Sequence, residues 1–267
     1  MTSLGRAIVL VRGGIRRSAT PLLGSALFLL IWEAGCRLFN VRPILLPAPS
    51  LVIGELAESP LWFAHHASYT LAITVAGFAV ATVFGVLFAV IIVEWKLLDR
   101  LLFPLFVALN SVPKVALAPL FIIWFGTGAE PKIAIAFLIA VFAVVIDTAL
   151  GLRSVPPDTL DLARTLRGSR LKILMRIKIF CAMPHLFAGM KVAMSLALVG
   201  AIVGEFVSSQ RGLGYVILSA QGMFDTPRVF AAISILAVLG VALVGAVSAA
   251  ERLALPWHYS AGERADH

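Results

Sequence analysis

The chain has 267 residues, 60% of them hydrophobic and only 13% charged, with a formal net charge of +8. Soluble domains carry about 25% charged residues, so a water-soluble globule is excluded. Several apolar runs approach or exceed the ~20 residues that a helix needs to cross ~30 Å of hydrocarbon, and lipid-embedded backbone must satisfy its own hydrogen bonds, so the fold class is an all-α polytopic membrane protein. The positive balance does not point to nucleic acid, because the basic residues lie between apolar spans without an interleaved aromatic surface.

At the start of the chain, residues 1–18 carry Arg6, Arg12, Arg16 and Arg17 ahead of an apolar run that continues through Leu38 without a small-residue cleavage site. This pattern reads as an uncleaved first helix, not a removed leader. Breaks at polar, Pro and Gly positions then divide the rest into six predicted spans, at about 19–39, 67–93, 101–126, 131–150, 184–207 and 228–250. The transmembrane domain is accordingly 19–250, followed by a tail, 251–267.

Between the first two spans, LLPAPSLVIGELAES places Leu51, Ile53 and Leu56 behind Pro47 and Pro49, which predicts a short surface helix. His65 and His66 follow. Adjacent residues on a helix diverge by about 100°, so the pair reads as interface residues and not as metal ligands. The third span contains Pro104, Pro113 and Pro119 together with the polar Asn110 and Lys114, which predicts a bent or broken helix. Cys36 and Cys181 are too isolated for a disulfide framework or a metal site.

Lys and Arg accumulate on the cytoplasmic side of membrane proteins. With the spans above, fifteen of them fall on one side, in the N-terminal segment, the second and fourth loops and the tail, against four on the other: Arg42, Lys132, Arg211 and Arg228. Both termini and the fourth loop, 152–183, are therefore expected in the cytoplasm.

That fourth loop holds LDLARTLRGSRLKILMRIKIF, residues 160–180, with six basic side chains and Asp161. Pro156 and Pro157 end what precedes, Asp158 or Thr159 is placed to cap a helix, and Gly168 supplies a turn because Gly tolerates positive φ. Leu171, Leu174, Ile177 and Cys181 recur at helical spacing opposite Arg170, Lys172, Arg176 and Lys178. The expectation is a helix, a turn and an amphipathic helix lying against the inner membrane face. A topological signal that also attracts anionic headgroups accounts for the charge. It does not account for two ordered helices, which read as a docking surface.

The loop resembles the cytoplasmic loop of binding-protein-dependent ABC importer permeases, whose pattern is EAA, three residues, G, nine residues, then I, any residue, LP. Asp161, Leu162 and Ala163 stand at EAA, Arg167 at the Gly, Ile177 at the Ile, and Ile179 and Phe180 at the final LP. Arg167 and Phe180 thus depart from the pattern, while Gly168 sits one place late. Further pieces, LPAPS, NSVPKVALAPLFIIWFGTG, GLRSVPPD, ARTL, GEFVSSQRGLGYVI and ERLALPWH, are similar to the nitrate, sulfonate and taurine branch of that family over about residues 45–258.

The resemblance implies a type I permease fold in a bacterial inner membrane. Two permease copies, as a homodimer, would form the pathway, two cytoplasmic ATPase subunits would power it, and an external binding protein would deliver a solute of the nitrate, sulfonate, taurine or pyrimidine-precursor class. It also implies that Asp161, Ala163, Arg164, Leu166, Arg167, Gly168, Ser169 and Arg170 dock on the ATPase. The chain has no Gly-x-x-x-x-Gly-Lys-Ser/Thr, zinc motif or clustered carboxylate pair, so no cofactor or metal is assigned to it, and ATP and Mg belong to the partner. Ionisable groups within spans are costly and turn inward. Among Glu33, Lys114, Asp147 and Glu205, the first and third lie near span ends, where snorkelling or helix pairing suffices. Asn110, Lys114 and Glu205 are the pathway candidates, and Lys191 is expected to snorkel to headgroups. The alternative is an ion-gradient-driven transporter or channel with Lys114, Asp147 and Glu205 as a relay.

Overall fold

The computed structural model describes residues 23–256. The expected cytoplasmic segment 1–18 and most of the tail lie outside the described residues, where the only regular elements are helices. In chain order these are α1 (23–38), α2 (Pro49–Glu58), α3 (Pro60–Glu94), α4 (Lys96–Asn110), a 3-10 turn (Lys114–Leu117), α5 (Ala118–Phe125), α6 (Glu130–Arg153), α7 (Pro157–Thr165), α8 (Arg170–Ile173), a π turn (Leu174–Lys178), α9 (Ile179–Ser208), α10 (Leu213–Gly222) and α11 (Thr226–Ala254).

Four helices among the described residues are long and apolar enough to cross a membrane, and the pair Lys96–Asn110 with Lys114–Phe125 makes a fifth, bent by 87°. The first expected span is seen only over residues 23–38. The bend falls where Pro113 cannot donate. Lys114 covers the resulting helix end, its Nζ donating to the Asn110 carbonyl at 2.8 Å and to Asn110 Oδ1 at 3.0 Å. A cation at a helix C-terminus also meets the negative end of the helix dipole.

α6 is the centre of the bundle and packs along both α3 and α9. Helices in lipid gain little from hydrophobic exclusion, so close van der Waals approach between small residues carries more of the association. Ala136 of α6 marks the closest point. A Cβ at Gly77 of α3 would lie 2.5 Å from the Ala136 Cβ, and one at Gly200 of α9 would lie 2.6 Å from the Ala136 Cα. Larger residues at either position would push the three helices apart.

Several sequence expectations are corrected. The predicted amphipathic helix beginning near residue 170 is not a separate element against the membrane face. It runs through the π turn into α9 as one helix of 39 residues, Arg170–Ser208. α3 begins at Pro60, ahead of the expected 67, because proline is preorganised for the first helical turn. α10 lies in what the sequence suggested was a loop and buries Leu213, Val216 and Ala220. The expected surface helix is α2, but it buries Pro49 and Val52 while Leu51 and Ile53 are exposed. Lys191 does not snorkel: its Nζ pairs with the buried Glu251 of α11 at 2.5 Å. Glu33 bridges α1 to the first turn of α2, accepting from Ser50 N at 3.0 Å and Ser50 Oγ at 2.8 Å.

Candidate functional site

Three places collect the polar residues that the sequence singles out. The first is the basic end of the bundle, where α7, a four-residue turn and α8 project from the spans. α7 starts at Pro157 behind Pro156, with no side-chain cap, so neither Asp158 nor Thr159 caps it as expected. It ends in a Schellman-type closure: Gly168 N donates to Ala163 O at 3.0 Å and Arg167 N to Arg164 O at 2.9 Å. The left-handed residue of that closure is Arg167, with φ of 55°, and not Gly168.

This reassigns the two residues. Arg167 occupies the position where the family pattern has Gly, and the backbone there has the conformation that Gly favours; an L side chain in it costs about 1–2 kcal/mol. Gly168 serves close approach, since a Cβ on it would come within 2.8 Å of Ala163 O. Ser169 then caps α8, its Oγ accepting from Lys172 N at 3.4 Å. Asp161 and Arg164 pair at 2.8 Å on the exposed face. Leu162 and Leu166, one helical turn apart, are 62% and 75% exposed. An exposed apolar pair in a stretch that also carries Asp161, Arg164, Arg167 and Arg170 has the composition of an anchor with polar contacts beside it. Two ion pairs brace this end: Lys178 Nζ meets Glu94 of α3 at 2.6 Å, and Arg153 of α6 pairs with Asp99 of α4.

The second place is the break between α4 and α5. Asn110 is exposed and Lys114 half-buried, with its Nζ 4.7 Å from the centre of the Phe142 ring, near the middle of α6. α4 has no buried residue and α5 only Ala118. A polar break at mid-depth therefore stands on a face that the single chain leaves uncovered.

The third place is at the end of the bundle opposite the basic loop. Glu205 of α9 is 1% exposed. It accepts from Thr70 Oγ1 of α3 at 2.8 Å and from Gly214 N of α10 at 2.7 Å. Thr70 Oγ1 itself accepts from Leu213 N at 2.8 Å, and His66 Nδ1 from Gly212 N at 3.1 Å. Three successive amides of the α10 N-terminus are thus received by three side chains from two other helices. His66 is consequently a buried acceptor and not an interface residue as expected, whereas His65 is exposed. Gly212 has φ of +103°, and a Cβ there would collide with the Glu205 carboxyl group. Beside the cluster, Lys132 of α6 is buried and donates to Gly128 O at 2.6 Å and Thr127 O at 3.0 Å.

Lys114, Asp147 and Glu205 are not brought together: Lys114 holds Asn110, Asp147 packs on Gly189, and Glu205 holds Thr70 and Gly214. Sequence reasoning did not consider Thr70, and it named His66, Lys132 and Leu162 without assigning them to a functional site. The only signal for the first three is long-range, because Thr70 and Glu205 are 135 residues apart. Leu162 had a signal, the i, i+4 spacing with Leu166.

Comparison with known proteins identifies the family. The chain is 34% identical to the riboflavin transport system permease protein RibX of Chloroflexus aurantiacus, over 92% of this chain and 94% of that protein. It is 33% identical to the formylaminopyrimidine transport permease protein ThiX of Halalkalibacterium halodurans, covering 89% and 95% of the two chains. The taurine transport system permease protein TauC of Escherichia coli is 29% identical over 92% and 93%. Residues 43–253 match the model of the binding-protein-dependent transport system inner membrane component. That match spans the α7–α8 turn, the broken α4–α5 span and the Glu205 cluster together, and the chain belongs to this family of ABC importer permeases.

Proposed function

We propose that this permease works as a pair of identical copies, takes its power from two cytoplasmic ATPase subunits at residues 158–180, and receives its solute from an external binding protein. The supporting observation is mechanical. The exposed α7–α8 turn is continuous with the 39-residue helix Arg170–Ser208, which packs along α6 for much of its length and ends beside Glu205. A displacement of the turn by a closing ATPase pair is thereby transmitted along a helix and not lost in a flexible loop.

In this reading Leu162 and Leu166 enter an apolar socket on the ATPase, and Arg164 and Arg167 face its acidic residues. ATP and Mg are held by that partner. The charge bias supports a cytoplasmic position for the turn, the termini and the basic end. The uncovered face of α4 and α5 meets the second copy, so that Asn110 and Lys114 line the route at mid-depth. Glu205 shapes the outer end of the same route indirectly, by holding α10. The solute is of the nitrate, sulfonate, taurine or pyrimidine-precursor class; the names of ThiX and TauC support that reading, and the name of RibX favours the larger riboflavin as a further candidate.

Reconstitution tests this reading. Proteoliposomes containing the chain, its ATPase and the neighbouring binding protein are expected to accumulate solute only with ATP inside the ATPase-facing compartment. Equal uptake driven by an ion gradient without the ATPase would contradict it. Gly168→Val is expected to leave ATP hydrolysis running while uptake falls, because the Cβ and its branches displace Ala163 and reshape the turn.

A further inference from the structure

The corner between α3 and α4 and the α7–α8 turn enclose a cavity of about 720 Å³ at the basic end. Its charged lining is Lys96, Arg164, Arg170, Lys178 and Glu94, with Trp95 at the corner itself. Glu94 is engaged by Lys178 at 2.6 Å, and Arg164 is engaged by Asp161 at 2.8 Å from outside the cavity. Lys96 and Arg170 have no acidic partner among the described residues. Four cations therefore meet two carboxylates, and two positive charges around one concave space are uncompensated.

We infer that this cavity binds a phosphate-bearing anion, supplied by the headgroup of an anionic membrane lipid or by free phosphate. The chemistry fits on three counts. Guanidinium and ammonium groups converging on one volume match the several acceptor oxygens of a phosphate. α4 begins at Lys96, one of the lining residues, with no side-chain cap, so the amides of its first turn are left without side-chain acceptors. Trp95 is 57% exposed beside the cavity, in the position where an indole ring anchors at a headgroup boundary. A basic surface would attract any anion; a cavity walled on one side by the end of a span and on the other by the turn selects a headgroup of limited size.

The consequence is a second tie between the membrane and the α7–α8 turn. An occupied site would bridge Lys96, at the start of α4, to Arg170, at the start of the helix that continues into α9. It depends on the orientation of the basic end and not on the identity of the ATPase, so it stands or fails separately from the importer reading.

The test uses the full chain reconstituted with its ATPase in vesicles of equal phosphatidylglycerol and phosphatidylcholine, then extracted in mild detergent for mass spectrometry of retained lipid. Retention of phosphatidylglycerol over phosphatidylcholine is expected, and Lys96→Gln is expected to reduce that preference about fivefold. Arg252→Gln, which removes a basic residue outside the cavity, is the control and is expected to change nothing. Arg170→Gln provides a second variant with the same lipid readout. Loss of retained phosphatidylglycerol on adding millimolar inorganic phosphate, again dependent on Lys96, assigns free phosphate as a source; insensitivity to it assigns the lipid. No preference for phosphatidylglycerol overturns the proposal, as does an equal loss in Lys96→Gln and Arg252→Gln.

Discussion

The two ends of the bundle treat polar groups in opposite ways. Around Glu205, the carboxyl group, the Thr70 hydroxyl, the His66 ring and three amides of α10 are buried and satisfied within one chain. Around Gly168, the charges and two leucines are exposed on a turn whose backbone is nonetheless fully defined. The Glu205 cluster is complete in the single chain. The other end has a fixed shape and missing neighbours, as expected of a surface that another subunit finishes.

Substitutions at the two ends should therefore separate stability from assembly. Glu205→Ala has the largest expected effect on the chain itself, about 3–5 kcal/mol, because it leaves the Gly214 amide buried without its acceptor, removes the shorter of the two hydrogen bonds donated by Thr70 and takes one of two carboxylates, Glu205 and Glu130, from the surroundings of Lys132. Thermal unfolding of the detergent-solubilised chain measures it, and Glu205→Gln should recover part of the loss by keeping one acceptor oxygen. Next is Gly212→Ala, expected to cost about 1–3 kcal/mol, since the left-handed backbone and the collision with Glu205 act together. Leu166→Asp should behave in the reverse manner, changing unfolding by less than ~0.5 kcal/mol while abolishing co-purification of the ATPase. Arg167→Gly should leave assembly intact and stabilise the turn by about 0.5–1 kcal/mol in the same unfolding measurement, the relief of positive φ being partly offset by the entropy of Gly. A large loss of stability in Leu166→Asp, or none in Glu205→Ala, would erase the contrast between the ends.

Much of the fold is legible in the sequence because its signals are local. Apolar runs place α6, α9 and α11, three prolines foretell the break in the third span, and charge bias marks the basic end. What was not legible depends on distance in the chain. Residues 208–227 have polar ends that read as a loop, and only burial against α3, α9 and α11 makes α10 a helix. His66 looked like a surface residue because nothing near it announces the amide of Gly212 146 residues away. At the basic end the error was finer: Gly168 was the natural choice for positive φ, yet the spacing of the closure puts that conformation on Arg167. The family pattern had placed its glycine there, so the departure at Arg167 was visible while its backbone consequence was not.

A cross-link tests the central claim most directly. With Cys181→Ser removing the exposed native thiol, a short bifunctional reagent on Leu166→Cys should join the chain to its co-expressed ATPase in good yield, and the same reagent on Met223→Cys, exposed at the opposite end, should not. A cross-link to the ATPase from position 223, or none from position 166 in a complex that still hydrolyses ATP, would contradict the assignment of the α7–α8 turn as the site of power transfer.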